Sequence, residues 1–261
     1  MRDAREHGVE VREVDINKTD WDSTLEAAPD NKWGFAMRLG MRQIKGVRED
    51  CARAIEAARL RPYLDVEDLH TRTRLPVAQL EKLAEADAFR SCTLDRRAAL
   101  WQIRALMDTP NLPLFTHAET NERGTDPRVN LPEMPLAEHV VNDYQTLRLS
   151  LKAHPLSFLR PLFESEGAVP AFDLHRMKDG EKLMIAGLVL VRQRPGSAKG
   201  VIFMTLEDET GVANIIVWKK VFEGVRAAVM GSRLAFVRGR LQRQDGVTHI
   251  VADDVVDRSV E

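Results

Sequence analysis

Basic side chains and a few aromatic rings are prominent in the last third of this 261-residue chain. Residues 192–243 include ten Lys and Arg but only four Asp and Glu, although the formal net charge of the whole chain is −2. Cationic side chains neutralise phosphates and aromatic rings stack on bases, so this composition favours contact with single-stranded nucleic acid. The candidate contact residues are Arg192, Arg194, Lys199, Phe203, Arg238 and Arg240.

The direction in which Phe203 points follows from the alternation of side chains along a strand. In residues 201–206, Phe203 faces opposite to Ile202 and Met204. Phe203 is therefore exposed, and free to stack on a base, if Ile202 and Met204 belong to the core. The alternative is that Phe203 is itself a core residue and that the surrounding charges only keep the surface solvated.

Acidic residues occur in three clusters, at 65–68, 207–209 and 253–254. The first two clusters fall in apparent turns and the third lies near the end of the given sequence. None has the pair of strands that would bring carboxylates together around the two Mg²⁺ ions of nucleotidyl transfer. The seven histidines show no metal-ligand spacing, and His154, which precedes a proline, is predicted to be structural. No catalytic residue, metal ligand or cofactor is therefore assigned to this chain.

The cysteine content indicates the redox compartment. Cys51 and Cys92 are the only cysteines, and they are far apart in sequence, which favours a reducing cytoplasm over a disulfide framework. No apolar run approaches the roughly 18 residues of a membrane span, so no membrane partner is expected. The length leaves room for two or three small domains.

Five β-rich runs and one amphipathic segment account for residues 181–258. The predicted order is strands at 183–191, 201–206 and 212–217, a helix at 219–230, and strands at 233–241 and 247–256. This is the order of an OB-fold barrel, whose usual ligand is single-stranded nucleic acid. Gly187 suits a strongly bent barrel strand, and Gly211 is predicted to adopt a positive φ in the turn before the third strand.

A second phosphate-binding pattern is Ile-Lys-Gly-Val at residues 44–47, directly before an amphipathic helix predicted over 48–59. It resembles the hairpin of a helix-hairpin-helix module, in which N–H groups of a glycine turn bind a DNA phosphate without reading sequence. Lys45, Gly46 and Arg48 are the predicted duplex-phosphate contacts, with Arg48 at the place of the usual second glycine. The alternative is an ordinary helix–turn–helix packing unit.

Several longer segments together point to one family. AGLVLVRQRP at 186–195 and KGVIFMTLEDETG at 199–211 resemble the OB domain of the bacterial C-family DNA polymerase α subunit. The loop at 195–200 and the strand ANIIVW at 213–218 are most similar to the error-prone, damage-inducible branch of that family. AREHGVEVREVDIN at 4–17 and LEKLAEADAFRSC at 80–92 resemble its fingers region and its tandem hairpin module.

The resemblance implies an α+β, multidomain chain, in which a helical helix-hairpin-helix region is followed by a five-stranded OB-fold β-barrel. The implied divisions are the end of a fingers-like region (1–34), the helix-hairpin-helix domain (35–107), a proline-rich linker (108–135), a helical connector (136–180) and the OB fold (181–258).

Within the linker, Asn-Leu-Pro-Leu-Phe at 111–115 resembles the sliding-clamp-binding motif, which normally opens with Gln. Leu114 and Phe115 would fill an apolar pocket of the clamp, with Asn111 and Leu112 beside them. The alternative is that Leu114 and Phe115 attach the linker to its own domain.

The resemblance further implies that the chain is the C-terminal, DNA-handling portion of an error-prone polymerase in damage-induced translesion synthesis. It would hold single-stranded and primer-template DNA while a palm outside this chain, with its Mg²⁺ ions, polymerises. Other implied partners are the sliding clamp and a Y-family-like protein with a RecA-like companion. The alternatives are a free-standing single-strand-binding accessory protein and a tRNA-binding OB module.

Overall fold

The computed structural model describes residues 4, 7–108, 132–196, 200–244 and 246–259. The chain folds as two compact units, Met1–Lys152 and Ala153–Glu261, which we call the helical unit and the barrel unit. No helix among the described residues is long and apolar enough to cross a membrane.

The helical unit combines a small sheet with amphipathic helices. The sheet has the order β1-β3-β2, with β1 parallel and β2 antiparallel to the central β3. The strands are β1 (Glu10–Arg12), β2 (Thr24–Ala27) and β3 (Phe35–Arg38), and the helices are α1 (Glu49–Ala58), α2 (Val66–Thr73), α3 (Val77–Glu85), α4 (Arg96–Asp108) and α5 (Leu136–Leu147). Single 3-10 turns lie at Met41–Gln43 and Arg90–Cys92.

One apolar core serves both the helices and the segment that precedes them. Helix α3 buries Leu80, Leu83 and Ala84, at the spacing of one helix face. Ile16 is fully buried in the same core, and its N–H donates to the Ala88 carbonyl at 2.9 Å. The division expected at residue 34 is not a boundary in the structure, because β1 and β2 pair with β3 across it.

Buried charges hold α5 against α4. The side chains of Arg96 and Asp143 are only 2% and 3% exposed, and Arg96 Nη2 donates to Asp143 Oδ1 at 2.5 Å. Arg96 Nη1 lies 3.1 Å from His139 Nδ1, and Lys152 Nζ lies 3.3 Å from Asp143 Oδ2. The connector expected over 136–180 is therefore divided, with α5 in the helical unit and α6 (Leu156–Ser165) in the barrel unit.

The barrel unit confirms the predicted α+β class and OB-type order. After α6 and a 3-10 segment (Ala171–His175), its elements are β4 (Lys182–Gln193), β5 (Ile202–Glu207), β6 (Val212–Val217), α7 (Lys219–Gly231), β7 (Leu234–Gln244) and β8 (Val247–Asp257). The closed barrel has the strand order β4-β5-β6-β8-β7, and β4 also pairs with β7. The β6–β8 pair is parallel, whereas the other pairs are antiparallel.

Strand alternation separates the inside of the barrel from its outside. Ile202 and Met204 point inward and are each 1% exposed. The outward side chains Leu234 and Phe236 form a second core with α6, where the Phe163 and Phe236 ring centroids are 6.0 Å apart. Helix α6 thus covers part of the outer surface.

Two glycines of the barrel behave differently from one another. At Gly187, an added Cβ would lie 2.7 Å from the Leu206 Cβ and 3.2 Å from Glu207 backbone atoms, so β4 and β5 approach too closely for a side chain. The prediction for Gly211 is wrong, since its φ is not positive. The Asp208 side chain makes this turn instead: its Oδ1 accepts from the Thr210 N–H at 2.8 Å and the Gly211 N–H at 2.9 Å.

Gly187→Ala is expected to destabilise the barrel by about 1–3 kcal/mol, because the new Cβ overlaps Leu206 and the β5 backbone. The measurement is urea-dependent hydrogen exchange of the β5 amides. Gly224→Ala in α7 is the control, since a Cβ there meets nothing within 4 Å and alanine favours helix over glycine. Equal protection in the two variants would contradict the close approach of β4 and β5.

Asp143→Ala is expected to cost the helical unit about 3–5 kcal/mol, because it leaves the buried Arg96 guanidinium without this carboxylate. Glu138→Ala is the control: it breaks the more exposed Arg97–Glu138 pair between the same helices, at 2.8 Å, and should cost less than about 1 kcal/mol. Urea unfolding of both variants gives the comparison. Similar small losses would show that the buried pair does not hold α5.

Candidate nucleic-acid interface

A row of outward-facing residues crosses the barrel from one strand to the next. The strand register pairs Phe203 with Ile216, Ile216 with Val251, and Val251 with Arg240. Arg240 in turn pairs with Lys182 on β4. Neighbouring strands are about 4.8 Å apart, so these five residues, which we call the outer row, form a continuous band on the barrel surface.

Phe203 lies at one end of the outer row. Its side chain points away from the barrel interior and is 38% exposed, whereas Ile202 and Met204 are 1% exposed. Because Ile202 and Met204 belong to the core, Phe203 points to the outside and is not a core residue. A ring held on a regular strand with an open face is able to stack on a base without further rearrangement.

The basic end of the outer row lies on β7. Arg238 and Arg240 both point outward there. Arg240 Nη1 donates to the Gly180 carbonyl at 3.2 Å, a neutral acceptor that leaves the positive charge uncancelled. Arg238 Nη2 lies 3.4 Å from Asp254 Oδ2, so part of its charge is offset. Phe203 and Arg240 therefore lie on the same row around the barrel, three strands apart, with Arg238 beside Arg240.

Arg192 is not next to Phe203 on the outside of the barrel, because it pairs with the inward-facing Met204. Gln193, and not Arg192, pairs with Phe203 in the strand register. Arg192 Nε donates to the Val229 carbonyl at 2.7 Å, and its Nη2 lies 3.4 Å from Ser232 Oγ. These acceptors lie at the C-terminal end of α7, where a cation is favourably placed. The structure gives Arg192 a helix-capping role.

The remaining barrel candidates lie near the connection between β4 and β5. A Cβ at Gly200 would lie 3.6 Å from Arg194 Nη2 and 3.5 Å from Lys219 Cδ, so the Arg194 and Lys219 side chains converge there. Lys219 is one of the ten basic residues in 192–243, and only the fold places it, at the start of α7, beside this loop. Lys199 lies outside the described residues.

The candidate clamp-binding residues Asn111, Leu112, Leu114 and Phe115 also lie outside the described residues.

The glycine turn of the helical unit has the backbone of a tight hairpin, with Gly46 at φ +88°. The Arg48 N–H donates to Gln79 Oε1 at 3.0 Å, and Gln79 Nε2 donates to the Gly46 carbonyl at 3.1 Å. One N–H at the start of α1 is thus taken by a side chain of α3. No local pattern could have indicated Gln79, because it lies 33 residues from Gly46 in sequence.

The charge at this turn is mixed. The Arg48 guanidinium pairs with Asp50 in the first turn of α1, and the hydrogen bond from Arg48 lowers the pKa of the Asp50 carboxyl. Lys45 is exposed on the turn. Lys82, which sequence reasoning did not select, packs its aliphatic chain against the turn and pairs with Glu85 at 2.8 Å. Lys45 is therefore the basic residue most available to a phosphate here.

The acidic cluster at 207–209 has structural partners. Asp208 Oδ2 accepts from the Ala171 N–H at 2.7 Å and from Arg160 Nη2 at 2.8 Å, so this carboxylate does not fit a catalytic metal pair. The described residues contain no group of three or more His, Cys, Asp or Glu able to hold a metal ion. His154 Nδ1 accepts from the Leu156 N–H at 3.2 Å, and burial lowers the pKa of its imidazole, which agrees with a structural role.

Two family models match parts of the chain. Residues 8–99 match the helix-hairpin-helix motif, and residues 184–257 match the OB-fold nucleic acid binding domain. The two matches fall in the helical unit and the barrel unit respectively, in the predicted order.

Similarity to individual proteins extends over nearly the whole chain. Error-prone DNA polymerase 1 of Rhizobium meliloti (strain 1021) is 51% identical to this chain over an alignment of 276 residues. The alignment covers 98% of this chain and 25% of that protein. The error-prone DNA polymerase of Brucella abortus biovar 1 (strain 9-941) is 49% identical over 260 residues, covering 99% of this chain and 24% of that protein.

Among solved structures, asparaginyl-tRNA synthetase from Pyrococcus horikoshii is 26% identical, covers 31% of this chain and 20% of its own, and has a TM-score of 0.26. A TM-score this low supports no structural argument. The resemblance read from the sequence is confirmed by the polymerase relatives and the two family models together. The chain is similar over nearly its whole length to error-prone DNA polymerases, and it spans about a quarter of the length of these relatives.

Proposed function

We propose that this chain is the DNA-holding part of an error-prone polymerase that acts in damage-induced translesion synthesis. The barrel unit holds the single-stranded template, and the helical unit contacts the duplex. A palm elsewhere in the polymerase joins the nucleotides and supplies the carboxylates for Mg²⁺. Similarity to error-prone DNA polymerases over 98% of the chain supports this proposal over a free-standing accessory protein.

The outer row is the observation that carries the single-strand assignment. It has an exposed ring at Phe203, two apolar residues in the middle and the cations Arg240 and Lys182 at the other end. Single-strand-binding surfaces combine these two features, since the rings stack on bases and the cations neutralise the backbone. A single strand that follows the row around the barrel would therefore meet both kinds of contact.

The helical unit supplies a weaker argument for duplex contact. The Gly46 turn and the exposed Lys45 offer a backbone and a cation to one phosphate. Asp50 offsets Arg48 at the same place, so the affinity of this turn depends on a balance of nearby charges. We infer that duplex binding here is modest and independent of sequence.

Protein partners follow from the resemblance and not from the described contacts. We infer the sliding clamp as a partner of residues 111–115, whose Leu and Phe have the character that an apolar pocket accepts. A Y-family-like protein and a RecA-like companion are inferred for the whole polymerase in the same way.

Phe203→Ala is expected to weaken binding of single-stranded DNA roughly 5- to 150-fold, because one base loses a stacking contact of about 1–3 kcal/mol. The measurement is fluorescence anisotropy of a labelled oligonucleotide at several salt concentrations. Phe158→Ala on α6 is a matched control, since Phe158 is 40% exposed and Phe203 is 38% exposed, and it should leave affinity unchanged.

The salt dependence separates stacking from charge in the same experiment. Phe203→Ala should keep the slope of log K against log salt, whereas Arg240→Gln should reduce its magnitude by about 0.7 for one single-strand phosphate. Equal binding by the wild type and both variants would show that the outer row does not contact DNA. Absence of any binding by the wild-type chain at low salt would refute the proposed function.

Asp50→Asn is expected to strengthen binding to duplex DNA, because it releases Arg48 from its ion pair and removes a negative charge near the Gly46 turn. The magnitude of the salt slope should rise by about 0.9 if Arg48 then neutralises one duplex phosphate. Glu138→Gln, which removes the same charge from the Arg97 pair, is the control and should change affinity less. An equal gain in both variants would indicate net charge alone and exclude the turn as a contact.

A further inference from the structure

A groove of about 190 Å³ lies beside the outer row on the barrel unit. Its walls come from the 3-10 segment Ala171–His175 on one side and from β6 and β8 on the other, and its polar groups include Asn214 and Thr248. Sites for drug-sized ligands usually measure about 300–1,000 Å³. The groove therefore suits a single flat ring and not a whole nucleotide.

Phe172 stands at the edge of this groove with 56% of its surface exposed. The His175 ring contacts it edge-on, with a centroid distance of 4.8 Å and an interplanar angle of 69°. The Arg176 guanidinium carbon lies 5.3 Å from the Phe172 ring centroid. An exposed ring with a cation beside it is the combination that binds a base and its phosphate.

The segment that carries Phe172 is fixed to the barrel at both ends. The Phe172 N–H donates to Thr210 Oγ1 at 3.0 Å. Arg243 Nη2 donates to the Leu174 and His175 carbonyls at 2.9 and 2.8 Å. A ring held by these contacts needs little ordering when a ligand arrives, which favours binding.

The groove is continuous with the outer row. Asn214 pairs with Thr205 in the strand register, next to the pair formed by Phe203 and Ile216. Asn214 therefore lies two positions from Ile216 along β6, a distance of about 6.6 Å at 3.3 Å per residue. A strand that stacks one base on Phe203 has a second stacking surface within its reach at Phe172.

We propose that this groove, which we call the Phe172 groove, binds one unstacked nucleobase of the single strand that crosses the outer row. The base stacks on Phe172, the Asn214 amide and the Thr248 hydroxyl meet its polar edge, and Arg176 lies near the adjoining phosphate. The inference rests on the proposed single-strand binding and adds a specific subsite to it.

The test is binding of a labelled oligothymidylate by the whole chain. Phe172→Ala is expected to weaken affinity roughly tenfold without changing the salt slope, since a stacking contact is lost and no phosphate contact is removed. Phe172→Trp should retain the wild-type affinity. Phe158→Ala, at another exposed ring, should have no effect.

A second measurement reports on the groove without a substitution. An oligothymidylate carrying 5-iodouracil is photocrosslinked to the wild-type chain, and the crosslinked peptides are mapped. The expected result includes a crosslink in the peptide that contains Phe172. Wild-type binding with Phe172→Ala unchanged and crosslinks confined to other peptides would overturn the Phe172 groove and leave the proposed function intact. No binding by the wild-type chain would overturn both.

Discussion

The buried carboxylate of Asp208 connects three parts of the barrel unit. Its Oδ1 closes the turn between β5 and β6, while its Oδ2 accepts from the Ala171 N–H and from Arg160 on α6. At 4% exposure the charge is stable only because so many donors surround it. The turn, the 3-10 segment with Phe172, and the helix that covers one side of the barrel all depend on this one group.

Strand alternation explains why so much of the barrel could be predicted. Strand β5 has six residues and buries every second one, so the positions of Ile202 and Met204 determine where Phe203 points. The same rule cannot show which outward residues meet across strands. The pairing of Val251 with Arg240 depends on the register of β7 and β8, which contains a bulge after Arg238.

The contacts that sequence reasoning missed share a physical cause. Local patterns report what a residue prefers, but not which distant group will satisfy it. Gly211 was given a turn role that the Asp208 side chain performs. The hydrogen bond from the Arg48 N–H to Gln79 of another helix is likewise a contact that no local pattern indicated. In both places the hydrogen bond depends on a group that only the fold identifies.

The position of Arg192 at the end of α7 affects how mutational data should be read. Its guanidinium donates to Val229 and lies near Ser232, so it stabilises the last carbonyls of a helix while belonging to a strand rich in basic neighbours. Replacing it would remove these contacts and loosen the C-terminal end of α7 from the barrel. A loss of DNA affinity at this position would therefore be evidence about folding, even though the residue removed is a cation in a basic region.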